Sequence, residues 1–177
     1  MSQFHSQNHF ERFQLPAQFQ LDTGELERRY RDIQARIHPD KAAHLGETEK
    51  RLSLQWATLI NEAYQTLKIP LDRARYLVSL NGSPCNEESN TAMPAEFLLE
   101  QIEWRSELQE ASALRHQERL ERLEGILQRE MADLYRLLAN LLDVERNFPA
   151  AADIVRQLAF LDKLDRDIGQ ALTELED

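Results

Sequence analysis

The tripeptide His38-Pro39-Asp40 sets an imidazole two residues from a carboxylate. That pairing could serve as a general base with its orienting acid. No nucleophile, metal-ligating set or glycine-rich phosphate loop accompanies it, so catalysis is the weaker reading. The plainest reading is a helix-ending turn, because proline disfavours helix at the residue before it and aspartate is a common turn residue. The third is a docking loop, and its flanks must decide. His-Pro-Asp alone arises by chance in roughly one chain in a hundred of this length. Elsewhere, His5, His9, His44 and His116 show no metal-ligand spacing and read as surface residues. The single cysteine, Cys85, can form neither an internal disulfide nor a CxxC zinc site, which fits a reducing compartment.

The elements that must carry the tripeptide are helical. HFERFQLP reads as a short first helix closed by Pro16. Asp22 caps the next, with Glu25 completing a capping box. In that segment Leu26, Tyr30, Ile33 and Ile37 recur on one face, which is assigned to the core. Pro39 ends the helix at His38. A third helix is expected over about 47–68, with Leu52, Trp56 or Leu59, Ala63 and Leu67 on its apolar side. Pro70 opens a fourth, LDRARYLVSL, and Asn81-Gly82 breaks it. On the helix before the tripeptide, Arg28 and Arg31 point away from the apolar face, and Arg29 and Arg36 lie on a flank. Lys41 follows the loop. The usual meaning of such a run is a solvated face. Beside the tripeptide it fits electrostatic contact with an acidic partner.

The stretch NGSPCNEESNTAMP is rich in turn formers and reads as a linker over 81–93. The rest is helical. One helix is expected over about 95–110 and a second over about 113–145, carrying Leu120, Leu127, Leu134 and Leu141 with Leu123, Met131 and Leu138. The last covers about 149–176, striped by Ile154, Leu158, Leu161, Ile168, Leu172 and Leu175. The fold class is all-α: a helical hairpin with its loop at residues 38–40, then a three-helix bundle over 94–177.

The first helix of that bundle has two apolar sides. Phe97, Trp104 and Leu108 form one stripe. Leu98 and Ile102 lie about 100° round, with Leu99 further out and Glu103, Ser106 and Glu110 beside them. Either the helix is broad-faced and wholly buried, or the second cluster is an exposed apolar patch rimmed by acids, which marks a binding site. Phe160 lies about 90° off the stripe of the last helix and is expected to be partly exposed.

Composition bounds the function. The 177 residues carry a net charge of −10, and it is uneven. Residues 1–80 hold eleven Lys/Arg and ten Asp/Glu; residues 81–177 hold ten and twenty-one. An acidic half disfavours nucleic acid, and the asymmetry suggests two modules facing different partners. No apolar run is long enough to cross a membrane. The first residues have neither the basic nor the apolar region of a secretory signal. A cytoplasmic protein is expected.

Residues 10–82 resemble a J-domain, the module that switches on the ATPase of DnaK-type heat-shock chaperones. LERRYRDIQARIHPDK, INEAYQTLKIPLDRARYLVSLNG, FLLEQIEWRSEL and VRQLAFLDKL together resemble the HscB family of J-type co-chaperones, over nearly the whole chain. No cysteine-rich stretch of the kind carried by eukaryotic relatives is present, so the resemblance is to the bacterial form. The resemblance implies a J-domain over 1–80 that engages an HscA-type chaperone through His38, Pro39, Asp40, Lys41, Arg28, Arg31 and Arg36. It implies that Leu98, Leu99, Ile102, Glu103, Glu110 and Phe160 bind an IscU-type iron–sulfur cluster scaffold. Ser106 departs from the pattern, since relatives tend to be acidic there, and one charged contact is in doubt. The chain is then a non-enzymatic adaptor without cofactor or metal, monomeric or weakly self-associating, that binds its scaffold and stimulates the chaperone's ATPase. The alternative is a general J-protein serving unfolded clients. A hydrolase using His38 and Asp40, or a purely structural helical assembly protein, are the readings from other classes.

Overall fold

The computed structural model describes residues 7–37, 46–83 and 93–176. The loop residues His38, Pro39, Asp40 and Lys41 lie outside them, as do His5, His44 and Cys85. All regular structure among the described residues is helical: α1 (His9–Arg12), α2 (Thr23–Ile37), α3 (Glu47–Lys68), α4 (Pro70–Leu80), α5 (Ala95–Ala113), α6 (Gln117–Ala139), a π-helical turn (Asn140–Glu145) and α7 (Phe148–Glu176). The chain divides into two compact units, 1–77 and 78–177, with the boundary inside α4.

In the first unit α2 and α3 form an antiparallel hairpin. Tyr30 stacks on Tyr64 with ring centroids 4.0 Å apart, and the Ser53 hydroxyl donates to the Ile37 carbonyl. Asp22 accepts from the Glu25 N–H, which supplies one half of the expected capping box. The Glu25 carboxylate itself is taken by Arg28 and Arg29. Leu26, Ile60, Ala63, Leu67, Leu71, Ala74 and Leu77 are buried with Phe10 and Phe13 of the first segment. The apolar face of α2 is core only at its start. Tyr30, Ile33 and Ile37 are half-buried and Leu52 is exposed, because the two helices leave an open groove towards the loop end, lined by Ile33, Ile37, Leu52, Trp56 and Leu59.

Helix α1 ends earlier than Pro16. Gln14 takes a left-handed backbone with φ 53°, and the Leu15 N–H returns to the Phe10 carbonyl. This is a Schellman-type closure on a non-glycine residue. His9 is not a surface residue as expected. Its ring stacks on Tyr76 at 4.1 Å, its backbone N–H donates to the Tyr76 hydroxyl, and Nδ1 accepts from Arg12. Burial, and then Arg12, lower its pKa, with Glu62 opposing.

In the second unit α6 and α7 pair along their leucine stripes and α5 packs against both. Leu120, Leu123, Leu127, Leu134, Leu138, Leu158, Leu161 and Ile168 are buried there. The long second helix stops at Ala139. The wider turn that follows holds one more residue per hydrogen-bonded loop. Both neighbours Leu141 and Leu142 are buried in it, which a regular helix would place about 100° apart. Among the described residues no helix is long and apolar enough to cross a membrane.

Candidate functional site

Helix α5 gathers the sequence-predicted binding residues of the second unit except Phe160, which is on α7. Of the 19 residues of α5 only Phe97 and Ala111 are buried. Phe97 meets Trp104 edge-on, with centroids 5.9 Å apart, and meets Phe160 of α7 in the same way at 6.0 Å. These aromatic contacts fix α5 on the Phe97 side. The other cluster is open: Leu99 is 63% exposed and Ile102 67%, while Leu98 is half-buried. The broad-faced alternative, with every apolar residue of this helix buried, therefore fails at Leu99 and Ile102. Glu103, Ser106 and Glu110 are exposed beside them.

Phe160 is half-buried, held edge-on by Phe97 and covered by Arg105, whose guanidinium carbon lies 4.9 Å from the ring centroid. Sequence reasoning missed Arg105. The signal was available, since Arg105 follows Leu98 by seven and Ile102 by three and so shares their face. It missed Arg119 of α6 as well. That guanidinium donates twice to Glu107, at 2.7 Å each, and once to Glu110 at 2.8 Å. The Arg119 hydrogen bonds hold the Glu107 carboxyl below its ordinary range. The same bonds raise the pKa of Arg119. Glu110 is thus already engaged within the chain. No ion pair of Glu103 is found among the described residues.

In the first unit, α2 carries Arg28, Arg31 and Arg36 on exposed positions. Its basic face is less bare than the arginine run suggests. Arg28 bonds to Glu25, and Arg31 approaches Glu27 at 3.8 Å. Arg29 is structural: besides Glu25 it donates to the carbonyls of Phe13 and Gln14 and ties the end of α1 to α2. The acids lie one turn from their arginines, which favours these pairs in a helix. Arg36 stands at the rim of the open groove, near the loop end. Among the described residues no group of His, Cys, Asp and Glu could hold a metal ion.

A helical hairpin followed along the chain by a three-helix unit with an open apolar patch defines an all-α class of two-unit proteins. Comparison with known proteins gives the particular family. Residues 93–169 match the family model described as the HSCB C-terminal oligomerisation domain. A co-chaperone protein HscB homolog from Ralstonia nicotianae is 46% identical over 172 residues, covering 97% of this chain and 98% of that one. Another from Paraburkholderia phymatum is 46% identical over 169 residues and 96% of each. Among solved structures, chaperone HscB from Vibrio cholerae superposes with a TM-score of 0.85 at 36% identity, covering 96% of this chain and 99% of that chain. Human co-chaperone protein HscB gives 0.88 at 27%, covering 93% and 82%. The chain belongs to the HscB family of co-chaperones, which are not enzymes.

Proposed function

We propose that this co-chaperone holds an IscU-type iron–sulfur cluster scaffold on the α5 patch and delivers it to an HscA-type chaperone, whose ATPase it stimulates through residues 38–41 and the arginines of α2. The carrying observation is the exposure of Leu99 and Ile102 on a helix otherwise fixed by aromatic and ionic contacts. Large apolar side chains grouped at the surface and edged by charge are what a docking face requires. Leu98, Leu99, Ile102 and Phe160 supply the apolar contact and Glu103 and Glu110 its rim. Residues 1–80 form the chaperone-facing module, 81–93 the linker and 94–177 the scaffold-facing one. Holding both partners makes the scaffold's encounter with the chaperone effectively intramolecular. ATP is hydrolysed on the chaperone, in the cytoplasm, and this chain acts as a monomer or a weakly associating one.

The test is the steady-state ATPase of the HscA-type chaperone with this protein and the scaffold added singly and together. Synergy well above the sum, abolished by His38→Gln with scaffold binding intact, is the expected result. Stimulation with no scaffold effect would leave a general J-protein. No stimulation would remove the docking role of residues 38–41.

A further inference from the structure

We propose that Arg119 is an internal counter-ion that competes with the docking partner for Glu110, leaving Glu103 as the acid open to a cation of that partner. The inference rests on the α5 patch being the scaffold-docking face. Its partner surface would then be apolar, with a lysine or arginine at the edge that meets Leu99.

Taking Leu98 of α5 as origin, Leu99, Glu110 and Glu103 fall about 100°, 120° and 140° round, while Glu107 falls on the opposite side at about 180°. Glu103 therefore follows exposed Leu99 by one turn on the same side, and Glu110 continues that side about two turns further along, while Glu107 lies about 80° round from Leu99. Ser106, between Glu103 and Glu110 in sequence, is exposed and carries no charge. Arg119 reaches from α6 and forks onto Glu107 through two nitrogens, and its Nη2 also meets Glu110. A forked guanidinium–carboxylate pair is geometrically specific, so Glu107 anchors the arginine and sets where its remaining donor goes. The arginine side chain is about one-quarter exposed, whereas that of Glu110 is 61% exposed. The Glu110 carboxylate is thus accessible to a partner but already meets a positive charge. An incoming cation gains there only by sharing or displacing Arg119. At Glu103 it meets a carboxylate with no ion pair among the described residues. The excess of acid in residues 81–177 favours a basic approach to this unit.

This makes removal of an arginine a gain-of-binding change. Arg119→Gln frees Glu110, and scaffold affinity measured by titration calorimetry at about 0.05 M salt is expected to rise roughly two- to fivefold. The gain should vanish at about 0.5 M salt, where exposed charges are screened. Glu110→Gln should cancel the gain in the Arg119→Gln background, so that the two substitutions are not additive; this non-additivity is the signature of competition. Glu103→Gln should weaken binding and flatten its salt dependence. Should Arg119→Gln lower helicity or unfold, Arg119→Lys gives the second reading: an ammonium keeps the charge but lacks the planar fork that anchors the arginine on Glu107, so a smaller gain in the same direction is expected. Unchanged or weaker binding by a folded Arg119 variant overturns the proposal, as does a gain that survives Glu110→Gln. If the unaltered protein fails to bind the scaffold, the docking face itself falls, and this inference with it.

Discussion

Truncation of Ile102 separates a binding residue from a packing residue. Ile102 is 67% exposed on α5. Ile102→Ala removes three carbon groups, each worth about 0.8 kcal/mol on full burial. If a partner covers the two-thirds that solvent now sees, the loss on binding is about 1.6 kcal/mol, or roughly fifteenfold in Kd. The fold should hardly respond, with stability within about 0.5 kcal/mol of the parent, as for surface substitutions generally. Leu158→Ala is the matched control. Leu158 is fully buried in α7, and its truncation should cost about 2–5 kcal/mol of stability. Thermal unfolding by circular dichroism and calorimetric titration with the scaffold read the two quantities on the same preparations. A melting temperature lowered as far as that of Leu158→Ala would mean Ile102 is packed. Unchanged melting with unchanged affinity would mean the partner docks elsewhere.

Two further expectations concern pH. His9 has its pKa lowered by burial first and then by Arg12, with Glu62 opposing. Its neutral form therefore stabilises the fold above the unfolded value of about 6.5, and that contribution is lost as pH falls through the lower folded value. His9→Phe can keep the stack on Tyr76 without titrating, so its melting temperature should fall less between about pH 7 and about pH 5 than the parent's; equal slopes would refute the assignment. Asp165 shows the opposite sign, its pKa raised by burial and then by Asp162. Its Oδ1 is buried without a hydrogen-bond partner among the described residues. Protonated Asp165 stabilises below the unfolded value of about 3.9, and the benefit is lost as pH rises through the folded value. Asp165→Asn should raise stability near neutral pH by up to about 1 kcal/mol and lose that advantage towards about pH 4. Thermal melts at both pH values check it, and an Asn variant less stable at neutral pH would refute it.

Helix limits were legible where a residue type enforces them. Pro70 and Gly82, the latter at φ 76°, bracket α4 as the sequence suggests, and α3 spans the expected 47–68. Three other ends were not legible, and they share one cause. Gln14, Arg115 and Arg146 adopt φ of 53°, 50° and 55° with no glycine present. Left-handed geometry at such residues is strained locally and is held by what lies around it. At Arg115, for example, the His116 N–H closes back on the Ala111 carbonyl at 2.9 Å. A pattern of apolar spacing carries no trace of such a closure, so the reading of one helix over 113–145 absorbed the turn before α6 and the π-helical turn after it.

The candidate site was legible in one dimension and incomplete in the next. Angular position around α5 separates Phe97 from Leu99 and Ile102, but it says nothing of what reaches in from α6 and α7. A helix that leaves large apolar side chains in solvent must be held by other means, because the usual attachment is burial of an apolar face. On α5 those means are visible. Phe97 is buried against Trp104 and Phe160, and Arg119 pins Glu107 and Glu110 from the neighbouring helix. Arg105 lies over Phe160 and covers the ring from the patch side. Aromatic edges and a forked guanidinium hold the helix from the side facing the unit and from its C-terminal half. Leu99 and Ile102 are thereby relieved of any packing duty. The same residues that keep the patch open also set its charge: Arg119 both attaches α5 and meets the Glu110 carboxylate, so a substitution there acts on the hold of the helix and on the charge beside the patch together.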